Sequence, residues 1–247
     1  MKILVCISSV PDTTAKINFT ADKSAFDKNG IQWVINPLDE FALTKAVKLQ
    51  AQGAKVTVIN VGVAETEPVI RKALAIGADE AIRVNLEPKD SYSTAKEIAS
   101  AAQACGFDLV LCGKESIDYN GGSVPAMVAQ LLNQPFVNAA VGLEVNGAEA
   151  TAVREIEGGK ETISVKLPAV VAGQKGLVDE KELIIPNMRG IMSARTKPLQ
   201  VVEPTSSEVK VEGVSFDSVP ARAAVKLVSA DNLDELVRLL HEEAKVI

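Results

Sequence analysis

Residues 153–172 read VREIEGGKETISVKLPAVVA, and this stretch decides the fold. Residues 153–156 and 162–165 favour strand, and the glycines between them permit the positive φ of a hairpin turn, so we expect the chain to turn at Gly158. Residues 167–172 are almost wholly apolar, which is typical of a strand buried on both faces of a central sheet, with Pro168 tolerated only at its start. The hairpin therefore leads back into the core.

Two neighbouring charged residues, Arg154 and Glu155, lie on the first strand of this hairpin. Side chains alternate between the two faces of a strand, so at least one of the pair points away from the core. From spacing alone, a solvated hairpin edge is the simpler interpretation.

Strands and helices alternate through the first 140 residues. The pattern predicts strands over 3–7, 55–61, 80–84 and 108–112, and helices over 40–52, 65–76, 93–104 and 124–132. Such alternation is typical of a doubly wound, mainly parallel sheet, in which right-handed crossovers place the loops after the strands along one rim. Ligands bind to such sheets at the carboxyl ends of the strands. The predicted fold class is therefore α/β, with the hairpin as an insertion.

The loop GKESIDYNGGS, residues 113–123, is the most informative part of that rim. It leads into a helix whose free N–H groups and dipole suit a phosphate, with Ser123 placed to cap it. No GxGxxG follows the first strand and no GxxxxGK[ST] occurs, so both usual nucleotide fingerprints are missing. On this evidence, a nucleotide site and a bare structural turn are equally good interpretations.

Charge and composition exclude several classes of function. A net charge of −6 and an aromatic content of 4% argue against nucleic-acid binding. No window approaches the roughly 18 uninterrupted apolar residues that a membrane span requires. The start, MKILVCI, enters a strand directly, so we predict no signal or transit peptide and a cytoplasmic location.

Cysteine and histidine offer little catalytic or metal-binding chemistry. Cys6, Cys105 and Cys112 lie in or beside apolar runs at spacings that fit no zinc or CxxC pattern, and we expect all three to be reduced core residues. The single histidine, His241, lies in a charged C-terminal stretch and is expected to be solvated. Neither a catalytic residue nor a metal site is predicted.

Residues 152–162 and 166–171 resemble the signature of the β subunit of electron transfer flavoproteins. The resemblance covers essentially the whole chain, through ILVCISSVPDT at 3–13, VINPLDEFAL at 34–43, RKALAIGADEAIRV at 71–84, DLVLCGKESIDYNGG at 108–122, RGIMSARTKPL at 189–199 and PARAAVKLV at 220–228. It implies a fold of the adenine nucleotide alpha hydrolase-like type. It also implies that the chain is one half of an electron carrier and not an enzyme.

The resemblance implies an AMP at the rim and a FAD held mainly by a larger α subunit. Thr13 and Leu38 correspond to positions that approach the flavin ring. Some members of the family hold a second FAD in place of AMP and bifurcate electrons, so both nucleotides stay open. By position, the nucleotide contacts fall on Cys6, Asn36, Pro37, Leu38, Asp39, Val61, Gly113, Asp118, Gly121, Gly122, Ser123 and Val124.

Partner surfaces are also implied by the resemblance. Arg154 and Glu155 match a pair that contacts the α subunit's mobile flavin domain. Residues 173–195 correspond to a loop that docks flavin dehydrogenases, such as acyl-CoA dehydrogenase, with Met188 or the rival Ile185 as apolar anchor and Arg189 beside it. A quinone-linked oxidoreductase would be the downstream acceptor.

The last part of the chain is expected to be an arm and not a second core. Residues 1–200 would form the nucleotide-binding domain, and residues 201–247 would embrace the α subunit through an irregular segment and a helix over 231–245. The apolar face of that helix would consist of Leu233, Leu236, Val237 and Leu240. A stand-alone adenine-nucleotide-binding module is the alternative from another class, but it would explain neither the RGIM loop nor the arm.

Overall fold

The architecture is a large sheet flanked by helices, in a computed structural model that describes residues 1–222 and 224–247. Its strands are β1 (Lys2–Cys6), β2 (Ser9–Pro11), β3 (Trp33–Ile35), β4 (Lys55–Val61), β5 (Glu80–Val84), β6 (Leu109–Gly113), β7 (Phe136–Asn146), β8 (Glu149–Ile156), β9 (Gly159–Lys166), β10 (Ala169–Gly173) and β11 (Leu199–Val202). Its α-helices are α1 (Pro37–Leu49), α2 (Glu67–Ile76), α3 (Ser91–Cys105), α4 (Val124–Leu132), α5 (Met188–Ala194) and α6 (Leu233–Arg238).

The strand order of the main sheet is β11-β5-β4-β1-β6-β10-β7-β8-β9. Pairing is parallel from β11 to β7 and antiparallel across β7, β8 and β9. From β1 the chain runs outward through β4 and β5, then returns to place β6 on the other side of β1. The order of the strands therefore reverses between β1 and β6, which is where sheets of this kind bind ligands.

Helices cover both faces of the sheet, which confirms the doubly wound α/β class. One apolar cluster joins sheet residues such as Val58 to Leu43 of α1 and Leu74 of α2. The cluster on the opposite face joins Ile59 to Ile98 of α3 and Val128 of α4. Neighbouring residues of β4 thus enter different clusters, as expected for a strand buried on both sides.

The hairpin that the sequence predicts is confirmed and is longer than expected. Strands β8 and β9 pair in register from Glu149–Lys166 to Ile156–Gly159, and Gly158 has a φ of +82° in the turn between them. After the hairpin, β10 inserts between β6 and β7 and is buried at every position. Pro168 precedes this strand, so it removes no hydrogen bond from the ladder.

By its contacts the chain divides into two units, Met1–Ile17 with Lys28–Val214, and Asn18–Asp27 with Ser215–Ile247. In the second unit, Phe19 stacks on Phe216 with ring centroids 5.5 Å apart. Lys23 forms an ion pair with Asp217.

The C-terminal helix of this second unit differs from expectation. It is shorter, because α6 gives way at Leu239 to a wide π-helical turn over Leu239–Glu243. Of the predicted apolar face, Leu233, Leu236 and Val237 are exposed, and it is Leu239 that is buried.

The burial of the cysteines agrees with expectation at two of three positions. Cys6 and Cys112 are buried, but the expected burial of Cys105 is wrong. Cys105 is the last residue of α3, just before the Gly106 cap, and is exposed.

Within the described residues, no helix is long and apolar enough to cross a membrane.

Candidate functional site

The carboxylate of Asp39 ties together three elements at the rim of the sheet. Its Oδ2 accepts from the Ser8 amide at 2.8 Å, just after β1, and its Oδ1 accepts from the Gly113 amide at 2.9 Å, at the end of β6. Asp39 itself lies in the first turn of α1, which starts at Asn36-Pro37 because Pro suits the first helical position. Asp39 therefore fixes the two strand ends on either side of the reversal.

Burial raises the pKa of Asp39 to about 7, and the hydrogen bonds from Ser8, Asn36 and Gly113 oppose that rise. Gly113 is required for the close approach, since a Cβ there would lie 2.3 Å from Asp39 Oδ1. The small sheet of β2 and β3, which the sequence did not predict, brings α1 to this position because the Asn36 amide that follows β3 donates to Ser8 O at 3.0 Å.

Asn36 anchors the loop after β6. Its Nδ2 donates to Glu115 O at 2.9 Å and its Oδ1 accepts from the Ile117 amide at 3.3 Å. The residue is fully buried, while Pro37 and Leu38 beside it are half-buried. The polar atoms of Asn36 therefore shape the loop, leaving one Oδ1 lone pair for any further donor.

The loop itself closes into a small ring that ends at α4. Ser116 and Gly121 exchange two backbone hydrogen bonds, of 3.1 and 3.2 Å, and Asp118 accepts from Ser116 Oγ and the Tyr119 amide inside this ring. The side chain of Asp118 thus serves the loop and not the helix terminus. At Gly121, the last residue of the ring, an added Cβ would meet nothing within 4 Å.

Three consecutive amides follow the ring, those of Gly122, Ser123 and Val124. Among the described residues none of them has an acceptor, and Ser123 forms no side-chain cap, contrary to its predicted capping role. Free N–H groups at the start of a nine-residue helix are a favourable place for a phosphate. The donor set at this point fits the nucleotide that the sequence led us to expect.

Cys6 and Val61 lie at the ends of β1 and β4, on the face that carries α3 and α4. Both are 7% exposed. A hydrogen bond with the Cys112 thiol on the neighbouring strand, together with burial, raises the pKa of Cys6, which stays a neutral thiol. These side chains therefore offer an apolar floor and no charge. The predicted flavin-facing pair differs in burial, because Thr13 is exposed and Leu38 packs partly on the core.

The two charges of the hairpin have partners within the chain. Arg154 Nε and Nη2 both lie 2.7 Å from Oε2 of Glu161, the residue directly opposite on β9. Glu155 is exposed and accepts from the Gln174 side chain. The pair thus lies on a polar, solvent-facing part of the hairpin.

The segment over residues 173–195 presents an apolar stripe. Ile184 packs against the core, but Ile185 is 85% exposed and Met188 is 73% exposed. Met188, Ile191 and Met192 lie at positions i, i+3 and i+4 of α5, so they share one face of the helix. Arg189 is exposed beside them. Both candidate anchors are thus accessible within this unit.

The comparisons with known proteins agree with this architecture. Residues 24–207 match the family model described as the electron transfer flavoprotein domain. The chain is 35% identical to the electron transfer flavoprotein subunit beta of Bacillus subtilis, with both chains covered in full.

The chain belongs to the electron transfer flavoprotein β-subunit family. It is also 36% identical to the subunit beta of Syntrophomonas wolfei, over 91% of this chain and 88% of the other, and 31% identical to that of Homo sapiens, over 100% and 99%. As the family name states, electron transfer with a flavin is the role of these proteins, and an α-subunit partner follows from the designation beta. The family therefore matches the resemblance stated from the sequence.

Two buried polar residues at the rim are missing from the predicted nucleotide contacts. Asn60 on β4 is 3% exposed and Arg83 on β5 is 7% exposed. Both interrupt otherwise apolar strand sequences, and that interruption is the signal that could have found them.

A cavity of about 430 Å³ lies away from the rim, between the C-terminal half of α4 and the start of β7, and none of the rim residues lines it.

Proposed function

We propose that this chain is the β subunit of a heterodimeric electron transfer flavoprotein that takes electrons from flavin dehydrogenases, such as acyl-CoA dehydrogenase, and delivers them to a quinone-linked oxidoreductase. The similarity to β subunits over the full length supports the proposal most strongly. FAD, when bound, supplies the redox chemistry, and the protein supplies position and electrostatics. This chain is a carrier subunit with no catalytic residue of its own.

The rim of the sheet holds a structural AMP in this proposal. The free amides of residues 122–124 bind its phosphate, and the anchored loop, Asp39 and the apolar floor of Cys6 and Val61 fix the shape of the site. The chemistry of these N–H groups supports this role, because they are neutral backbone donors and need no acidic side chain to balance them when no phosphate is bound. Thr13 and Leu38 cover the flavin that the α subunit holds, and the chain works in the cytoplasm.

The C-terminal arm, residues 201–247, embraces the α subunit. Support comes from a run of exposed apolar side chains in the described part of this segment, each of which would be costly to leave in water. They are Val211, Val214, Val219, Val225 and Leu227. Arg154 and Glu155 add a polar contact of modest strength to the flavin domain of the α subunit.

Nucleotide content tests this proposal. The chain is co-expressed with the α subunit of the same organism, and nucleotides are released by denaturation and quantified. One FAD and one AMP per heterodimer are expected. Two FAD would make the protein a bifurcating member, with a second flavin in the space beside Gly121, and failure to form a complex would favour a stand-alone nucleotide-binding module.

The dehydrogenase contact is tested by truncating its anchor. Met188→Ala should slow electron transfer from a flavin dehydrogenase by about tenfold or more, the range of an interface anchor, while the FAD content stays unchanged. Stopped-flow reduction measures the rate, with Ile17→Ala as an exposed apolar control. Normal rates for Met188→Ala and slow rates for Ile185→Ala would move the anchor to Ile185.

A further inference from the structure

Arg83 is a buried cation without a buried counter-charge. Its side chain lies on β5 and the residue is only 7% exposed. Within residues 1–222 and 224–247, no carboxylate forms an ion pair with it. Burying a charge is costly unless it is paired, so this residue requires an explanation that packing alone does not give.

The hydrogen bonds of Arg83 leave one edge of its guanidinium unused. Nη1 donates to Gly62 O and to Asn85 Oδ1, both at 2.9 Å. The orientation of Asn85 is set because its amide nitrogen donates to Glu203 at 3.3 Å. In contrast, Nε is buried without an acceptor, and Nη2 has none among the described residues. The N–H groups of Nε and Nη2 point the same way, at the spacing of two oxygens of one anion.

Asn60 adds an unused acceptor on the neighbouring strand. It pairs with Arg83 in the register of β4 and β5. Since Val58 and Ala81 enter the same apolar cluster, alternation places Asn60 and Arg83 on that same face of the sheet. Asn60 Nδ2 donates to Ile7 O at 2.9 Å, but its Oδ1 is buried without a partner. Two donors and one acceptor are therefore unmet at the carboxyl ends of β4 and β5.

We infer that Arg83 and Asn60 form a binding site for a phosphate group. Two phosphate oxygens accept from the side edge of the guanidinium, and a protonated oxygen of hydrogen phosphate donates to Asn60 Oδ1. The bound anion also neutralises the buried cation. The ligand is either free inorganic phosphate or the phosphate of a small phosphoester, which share this chemistry.

This site is distinct from the amides of residues 122–124. Those amides follow β6, whereas Arg83 lies on β5, and β1 and β4 separate the two strands. Three strand spacings of about 4.8 Å put the two strands about 14 Å apart. The helix α4, which the amides start, also packs on the face opposite to the one that Arg83 shares with Ala81, so one phosphate group cannot contact both. The inference therefore goes beyond the proposed nucleotide and does not depend on it.

Binding of inorganic phosphate to the purified full chain tests the inference. Isothermal titration is performed at constant ionic strength, after saturation with AMP, so that the amides of residues 122–124 do not contribute. Wild-type protein and Arg195→Gln, which removes an exposed arginine, should bind one phosphate equally well. Arg83→Gln should weaken that binding at least tenfold, because both charge-assisted hydrogen bonds are lost.

Arg83→Lys keeps the test valid if the glutamine variant does not fold. Lysine retains the charge and a donor for Gly62 O but lacks the two-pronged edge, so phosphate binding should again fall about tenfold. Equal binding by wild type and Arg83→Lys, or none by wild type, would overturn the inference and leave water as the partner of this edge. Titration with glycerol 3-phosphate separates the two sources: tighter binding than phosphate identifies a phosphoester, and weaker binding identifies the free ion.

Discussion

Asp39→Asn is the substitution that tests how the rim is held together. Asparagine keeps the shape of the side chain but replaces one carboxylate oxygen with an NH₂ group. Because Asp39 accepts from Ser8 on one oxygen and from Gly113 on the other, the NH₂ faces a backbone N–H in either orientation. A buried donor left without an acceptor costs about 1–3 kcal/mol. At pH 5 the carboxyl group is protonated, but its hydroxyl oxygen still accepts from an N–H, which an NH₂ group does not, so we expect the free energy of unfolding to fall by about 2 kcal/mol at that pH.

The destabilisation caused by Asp39→Asn should depend on pH, and the direction of that dependence follows from the direction of the pKa shift of Asp39. Burial raises the pKa of Asp39 from 3.8 to about 7, so the folded state holds the proton more tightly than the unfolded state. The resulting stabilisation is present below the ordinary pKa and is lost as pH rises through about 7. Between pH 5 and pH 8 the wild type should lose about 2.5 kcal/mol from this group, at about 1.4 kcal/mol per pKa unit. Asparagine does not titrate, so the difference between the two proteins should nearly vanish at pH 8.

Urea unfolding followed by circular dichroism at pH 5 and pH 8 measures both effects. Asp231→Asn is the matched control, because Asp231 is exposed, and it should change the free energy of unfolding by less than about 0.5 kcal/mol at either pH. A difference for Asp39→Asn that is constant with pH, or larger at pH 8, would show that the hydrogen bonds outweigh burial and keep the carboxylate ionised.

Three other substitutions test the packing of the described segments. Gly190→Ala places a methyl group 2.5 Å from Ala75 O, so it should displace α5 from α2 and lower the unfolding free energy by about 1–3 kcal/mol, as seen by thermal unfolding. Gly121→Ala, where a Cβ meets nothing within 4 Å, should leave the melting temperature unchanged. Glu97, 2% exposed, accepts three hydrogen bonds of 2.8–3.0 Å from residues 205–206. Glu97→Gln should speed amide hydrogen exchange there at least fivefold, and unchanged exchange would mean that other contacts hold this segment.

The sequence was most informative where one pattern dominates. Strands β4 and β5 and helix α4 have the predicted bounds, because apolar runs or capping signals mark both ends. Helix α1 starts three residues earlier than predicted, at Pro37, although Asn-Pro is itself a start signal. The loop after β6 was located correctly, because glycines and a helix start coincide there.

The remaining features depend on contacts between distant parts of the chain. Strand β11 pairs with β5, more than 110 residues earlier, and no local pattern in its four residues announces this. Strand β7 escaped prediction because Ala139 has a positive φ and the pairing with β8 shifts near Gly142, which interrupts the alternation of side chains. The role of Asp39 likewise requires knowing which two amides meet it. Sequence can nominate a rim residue, but only the fold supplies its partners.

The late position of β10 in the chain bears on how the protein is made. This strand fills the gap between β6 and β7, and all of its residues are buried, yet it ends only at Gly173. During synthesis, β6 and β7 are complete well before β10 leaves the ribosome, and each then offers unpaired backbone groups. The interval between translation of residue 146 and residue 173 is thus a window for wrong pairing between nascent chains. Once residue 173 has been translated, the tight two-residue turn at Gly158 helps to close this window, because β8 and β9 fold locally and bring β10 to its gap.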